Sequence, residues 1–294
     1  MIAIAPPGTA AEREAAARLF FPSLMGDELA GRTLGFLERF EAGAFALDGW
    51  LCARSSGAIA ATAVVQPLPS GSAVVLPPHG DPSLFDALAE SMLAQLRSAG
   101  CHQAALFLDP GCEWQADPLV ANGFRFVTEI QTRRREPLEP APDIPEGFRL
   151  IPAQCDMQLF GKLLERTYEG TLDVPESRHV RPIKDVLAAA KLGQPEPPHW
   201  WILNGAGVGN IGIIQLAMVD GVVAELSYFG IIPEMRNRGL GAIALAAAMR
   251  EAARSGSKML SLCADVRNAP ALRLYDASLF RTIQIQRLYL WHYS

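Results

Sequence analysis

The sequence predicts two consecutive α/β (α+β) domains, and three observations carry that expectation: the length, a proline-rich break near the middle, and an internal repeat. The 294 residues are about twice the commonest domain size of roughly 100 to 150 residues. Residues 136–147 read EPLEPAPDIPEG, with prolines at 137, 140, 142 and 145 and four acidic residues. Proline at that density removes backbone donors and favours extended chain. The sequence therefore reads as domains 1–138 and 148–294 joined by a linker at 139–147. A shift of 156 places Pro233 on Pro77, Gly256 on Gly100, Leu262 on Leu106 and Phe280-Arg281 on Phe124-Arg125. One offset over such a stretch, with the same order of elements, points to a duplication.

Each element of the second half has a local reason. A short strand is expected at Phe148 to Ile151, then helices near Asp156 to Tyr168 and Pro182 to Leu192. Apolar alternation predicts strands at Trp200 to Leu203, Asn210 to Met218 and Val222 to Ile232. The last two are joined by Val219-Asp220-Gly221, a hairpin turn signal. A helix from Gly239 to Arg254 stops at Ser255-Gly256, where a C-terminal glycine belongs. A strand at Lys258 to Cys263, a helix from Ala269 to Ser278 and a strand pair within Arg281 to His292 complete a mixed order. Antiparallel strands come first and a β-α-β crossover follows.

Composition narrows the function. Half of the residues are hydrophobic and 19% are charged, which excludes a disordered chain. A net charge of −5 without a long basic block argues against nucleic acid, and Arg133-Arg134-Arg135 reads as a solvated strand end. No apolar run reaches the length of a membrane span, and the N-terminus reaches Pro6-Pro7 before a signal sequence could form. A cytoplasmic protein is expected. Five scattered cysteines without a C-x-x-C pair read as reduced thiols, and the five histidines show no metal-ligand spacing, so no metal is expected.

The most informative stretch runs from Tyr228 to Ala242. It is an apolar strand, a proline turn, Arg236-Asn237-Arg238, and two glycines, Gly239 and Gly241, that open an alanine-rich helix. The first amides of a helix have no partner inside it and the macrodipole favours an anion there, so this is a pyrophosphate cradle to which the two arginines would add charge. Residues Arg236 to Gly241 fit the pattern [QR]-x-x-G-x-[GA], and the chain here resembles the GCN5-related N-acetyltransferase (GNAT) superfamily. Downstream, Asn268 to Tyr275 and Phe280 are similar to the family's N-x-x-A-x-x-L-Y and G-F, with Leu279 where the glycine would stand.

The resemblance implies that each half is a GNAT-like domain, a mixed, mostly antiparallel twisted sheet flanked by helices. It further implies acetyl-CoA as co-substrate. The amides of Arg236, Asn237, Arg238, Gly239, Leu240, Gly241 and Ala242 would hold the pyrophosphate, and Phe229, Gly230 and Ile231 the pantetheine arm. Asn268 would contact the pantetheine or sulfur region, although an asparagine there is also an ordinary N-cap. Glu225 matches the family's general base, Tyr275 the tyrosine that protonates the sulfur. Amine and thiol, with ordinary pKa values near 10.4 and 8.5, both need such help at neutral pH. Tyr168 to Glu176, through Tyr168, Glu169 and Asp173, is the expected acceptor segment.

The shift of 156 sets Arg236 on Gly80, Gly239 on Ser83, Gly241 on Phe85, Ala242 on Asp86, Asn268 on Cys112 and Tyr275 on Leu119. Phe85 would block the close approach of a phosphate and Asp86 would repel one, so the first half reads as a degenerate copy. The expectation is a monomeric or homodimeric enzyme that moves an acetyl or acyl group to a primary amine of a small molecule or peptide by direct attack in a ternary complex. The alternative is an acyl-CoA-binding sensor or scaffold without turnover.

Overall fold

The computed structural model describes residues 3–43, 45–69, 71–138, 143–177, 182–191, 194–219 and 221–293. They form two compact units, Met1–Val127 with Arg287–Ser294, and Thr128–Gln286.

Unit one contains, in chain order, β1 (Ala3–Ala5), α1 (Ala10–Arg18), α2 (Gly26–Glu41), β2 (Trp50–Ser55), β3 (Ala58–Leu68), β4 (Ser72–Gly80), α3 (Phe85–Ser98), β5 (Gln103–Leu108), the short α4 (Asp117–Ala121) and the first residues of β6 (Arg125–Arg135). Strands β1 to β5 pair in sequence order, antiparallel except for the parallel pair β4–β5. Helix α3 turns Leu88, Met92 and Leu96 onto this sheet, all three fully buried. Their spacing of four is the apolar stripe of a surface helix.

Unit two continues β6 and then contains β7 (Phe148–Pro152), α5 (Met157–Thr167), α6 (Ile183–Lys191), β8 (Trp200–Gly205), β9 (Gly209–Met218), β10 (Val223–Ile231), α7 (Leu240–Arg254), β11 (Met259–Asp265), α8 (Ala269–Ala277) and β12 (Arg281–His292). Its ladder runs β6-β11-β10-β9-β8-β7, parallel only at β10–β11. One face packs on α7 and α8 through Leu226, Leu245, Met249, Leu262 and Tyr275. The other packs on α5 and α6 through Phe160, Leu164, Trp200 and Ile213. The element order is the same in both halves, as the repeat predicts. No helix among the described residues is long and apolar enough to cross a membrane, and all five cysteines are free.

Three expectations need correction. The first is the domain division at 138. Residues Ile130–Arg135 of β6 pair with β11, with Arg133 opposite Leu262, so that stretch belongs to unit two. Residues 287–292 of β12 pair with β5, with Tyr289 opposite Leu106, and belong to unit one. Corresponding strands of two similar copies fit the same slot, and local pattern does not say which copy fills it. The second is the strand pair expected at 281–292, which is one continuous strand, β12. The third is the linker at 139–147. Residues 139–142 lie outside the described residues, but Leu138 is buried in the α7 core and Ile144 packs against it. The Leu138 amide also donates to the Lys258 carbonyl at 3.0 Å. This segment lies within unit two. The turn residue Asp220 and His179 also lie outside the described residues.

The shift of 156 holds from α3 and α7 onward and fails before them. Pro77 lies inside β4, whereas Pro233 starts the turn after β10. From Gly80 to Phe85 there are four intervening residues, 81–84; from Ile231 to Leu240 there are eight, 232–239. Gly80 is thus a strand residue and no counterpart of Arg236. Among the described residues the segment between β4 and α3 has no equivalent of the glycine loop, a stronger loss than the substitutions at Phe85 and Asp86 imply.

Candidate functional site

Strands β10 and β11 pair only from Val223–Leu226 to Met259–Leu262, yet β10 runs on to Ile231 and β11 to Asp265. Ser227 is an extra residue on β10, because Leu226 faces Leu216 while Tyr228 faces Gln215 on β9. A bulge bends and twists its strand, and here the two parallel strands part just beyond it. The opening is a cleft of about 400 Å³, lined by Leu226 to Ile231 on one side and by Cys263 and the α8 residues Ala271, Leu274 and Tyr275 on the other. Strand edges that no longer pair present unused N–H and C=O groups to whatever occupies the cleft.

The glycine loop lies across its mouth. Asn237 and Gly239 take left-handed conformations, with φ of 60° and 75°, and Gly239 starts α7 without a side-chain cap. A residue with a Cβ is strained at that angle. Among the described residues, the amides of Asn237, Arg238, Gly239, Leu240 and Gly241 have no acceptor. Successive amides in such a turn at a helix N-terminus form an anion-binding concavity. Met235, Arg236, Asn237, Gly239, Leu240 and Gly241 line the cleft; Arg238 and Ala242 do not.

Arg236 has a different task from the one its charge suggests. Its guanidinium donates to the carbonyls of Ile231 (2.9 Å), Thr167 (2.9 Å), Glu169 (2.6 Å) and Gly170 (3.3 Å). It fastens the loop to the C-terminal end of α5 with four of its five N–H donors, which leaves one Nη2 N–H for a ligand.

Tyr275 lines the cleft from α8 and is also a core residue, its ring against Phe229 and Phe280. Burial pushes its phenol up, so it stays protonated. Asn268 caps α8, accepting from the Ala271 amide at 3.3 Å, and lines the cleft as well. Glu225 lies one residue before the point of parting and is not a lining residue. It has no hydrogen-bond or ion-pair partner among the described residues, and burial alone raises its carboxyl above the ordinary range. Leu279 occupies the glycine position of the next turn with φ of 63°.

Of the three expected acceptor residues only Asp173 reaches the cleft. Tyr168 caps α5 and packs its ring against Tyr228, and Glu169 gives its carbonyl to Arg236. The Asp173 carboxylate accepts from the Asp265 amide at 2.7 Å. Burial foremost raises its pKa, with the Asp265 charge adding to the rise and that hydrogen bond opposing it.

Sequence reasoning missed the network around it. Asp265 is fully buried and accepts from Thr128 (2.7 Å), from the Val174 amide (3.1 Å) and from the Arg267 side chain. Burial alone would raise its carboxyl; Arg267 and the other donors outweigh it and hold the group below its usual value. Arg267 also forms a two-pronged pair with Glu176 at 2.7 and 2.8 Å, pinning the segment from Asp173 to Glu176 beside the cleft. Tyr228 was missed too. Thr167 Oγ1 donates to the Leu164 carbonyl at 2.7 Å and therefore accepts from the Tyr228 hydroxyl at 2.9 Å. This commits the phenol's proton to Thr167, and Tyr228 lines the cleft. The aromatic run Tyr228-Phe229 was a visible signal; the bulge that decides which ring faces α5 was not.

Residues 162–279 match the model of the acetyltransferase (GNAT) family. This stretch is a GNAT domain. The chain is similar over 99% of its length, and 95% of the other, to a GCN5-related N-acetyltransferase from Sphaerobacter thermophilus, with 16% identity and a TM-score of 0.66. A tandem GNAT protein from the clavulanic acid biosynthesis pathway covers 99% of this chain and 98% of its own, at 13% identity and a TM-score of 0.59. At these identities the likeness establishes the fold, and the tandem layout agrees with the two units. No curated protein matches significantly. Within the GNAT domain the described residues include no cluster of His, Cys, Asp and Glu fit to hold a metal.

Proposed function

We propose that the GNAT domain transfers an acetyl or acyl group from acetyl-CoA to a primary amine by direct attack in a ternary complex. The observation that carries the reading is the run of five amides, Asn237 to Gly241, without acceptors among the described residues, at the mouth of a cleft lined by Tyr275 and by Leu226, the residue after Glu225. The donor set fits the group: backbone amides for a pyrophosphate, a parted strand edge for an amide-bearing arm, and apolar Leu226, Phe229 and Leu274 along the way. Bound acetyl-CoA would supply an activated thioester carbonyl.

This chain's residues would do the rest. Glu225, more basic for being half-buried, receives the proton that the amine loses, directly or through water, as the N–C bond forms. Tyr275, kept neutral by burial, presents its O–H to the sulfur as the C–S bond breaks. The thiolate takes up that proton and leaves as the thiol.

Thiol release from acetyl-CoA by the full chain, measured across a panel of primary amines, tests the reading. Amine-dependent release with formation of the amide supports it. CoA binding without release for any amine would turn the reading to a sensor or scaffold. Hydrolysis independent of amine would remove the acceptor role.

A further inference from the structure

The arginine triplet at 133–135 is no solvated strand end. Arg133 is buried and pairs with Asp276 at 2.6 Å, and Arg135 donates to the Ser278 carbonyl at 3.0 Å, both on the α8 side of β6. Alternation places Arg134 on the opposite face. There its Nε donates to Ser261 Oγ at 3.2 Å, while its two Nη groups have no partner among the described residues. A half-buried guanidinium normally has a carboxylate or a carbonyl to offset its lost hydration.

Arg134, Ser261 and Glu225 lie just outside the lining of the cleft, which Cys263 joins to them. Arg134 is in register with Ser261, and Ser261 with Glu225, so the three side chains form one row across β6, β11 and β10. Two strand spacings separate the ends of that row by about 10 Å between backbones. Cys263, which lines the cleft, is the diagonal neighbour of Arg134 at about 7–8 Å. Both side chains are long enough to reach toward each other around one small molecule. The row thus offers a free carboxylate and a free guanidinium with a neutral hydroxyl between them.

We propose that the amine acceptor also carries an oxyanion, a carboxylate or a phosphate, and that Arg134 is the specificity-determining residue that binds it. The substrate's amino group sits toward Glu225 and the point where β10 and β11 part. Its anionic end, a short chain away, receives the Nη groups of Arg134 in the two-pronged geometry that suits a planar oxyanion. Ser261, holding Nε, fixes the orientation of the fork. This identification of the substrate class rests on the transferase reading above.

The test uses the full chain and two matched pairs of amines: 4-aminobutyrate with its amide, and glucosamine 6-phosphate with glucosamine. Wild type should favour the anionic member of at least one pair by tenfold or more in kcat/KM, and the pair that responds says whether the oxyanion is a carboxylate or a phosphate. In Arg134→Gln the ratio should fall close to one, and in Arg134→Glu it should invert. CoA affinity by calorimetry reports whether the fold has survived either change. Calorimetric binding of the same compounds in the presence of CoA provides a readout independent of turnover. Anion-selective binding that disappears in Arg134→Gln, without turnover in wild type, would refute the transferase and leave the anion site standing. Equal use and equal binding of charged and neutral members by wild type, or a preference that persists in Arg134→Gln, would overturn the inference.

Discussion

Arg236→Ala separates two meanings of the same residue. If the guanidinium is a clamp, the substitution removes three short bonds, to Thr167, Ile231 and Glu169, and one longer bond to Gly170. A charged donor to a carbonyl contributes about 1.5–3 kcal/mol when fully shielded, and water can replace it at this partly open helix end. About 1 kcal/mol for each short bond is the appropriate value, or about 3 kcal/mol in all. For a domain of this size each 1 kcal/mol moves Tm by about 2–4 °C, so a loss of about 6–12 °C is expected. The loop must then be ordered by the ligand itself, which should weaken CoA roughly ten- to a hundredfold. Calorimetry of CoA binding, a thermal scan and hydrogen exchange at the Glu169 and Thr171 amides measure the three effects. Arg236→Lys should rescue little, because an ammonium cannot span carbonyls on three sides. Weakened CoA binding with unchanged Tm and unchanged exchange, restored by lysine, would refute the clamp and make Arg236 a direct phosphate ligand.

Other outcomes follow from the same site. Gly241→Asp places a Cβ 3.4 Å from Leu274 Cδ2 and a carboxylate beside the amides, and CoA affinity should fall at least about tenfold, about 1.4 kcal/mol, by calorimetry. Tyr275→Phe should lower kcat by about 10² or more while CoA affinity hardly changes; a loss of affinity with kcat intact would make the ring only a packing element. Burial raises the pKa of Glu225, and if it is the base it works as its anion, so wild-type kcat/KM should climb through an ionisation above the ordinary carboxylate value of about 4.3. Glu225→Gln should abolish that limb, and an unchanged pH profile would assign the base elsewhere. Leu279→Gly relieves a left-handed residue that is 71% exposed; Tm should rise by a few degrees, since the relief of about 1–2 kcal/mol exceeds the added chain entropy.

What the sequence revealed was what neighbouring residues decide among themselves. Helix α7 begins one residue after Gly239 and ends one residue before Ser255, because the signals for both are local. The cradle was legible for the same reason: its five amides are consecutive. The purpose of Arg236 was not, since its carbonyl partners at Thr167 and Glu169 lie 69 and 67 residues upstream. Nor was the Asp265 network, which joins Thr128 across 137 residues. A single extra residue at Ser227 shifts the alternation of β10, so Tyr228 and Phe229 exchange the faces that simple counting assigns. Strand exchange between similar copies is the extreme case, being invisible to any window of pattern.

That exchange bears on how the protein is made. The partner of Leu106 in the first unit is Tyr289, which leaves the ribosome long after β5 has emerged, on the order of ten seconds or more at the usual rate of synthesis. Throughout that interval the exposed edge of β5 has no permanent neighbour, and the corresponding segment of β6 is available to occupy it. Nascent chains should therefore hold a provisional first unit, closed by its own sixth strand, that must open before β12 can replace it. Such non-local pairing slows folding, and a cut at residue 138 would strand β6 with the wrong fragment. Expression of residues 1–127 and 128–286 as separate pieces should give one unit with a bare edge at β5, and nascent chains stalled before residue 287 should be the species that chaperones retain.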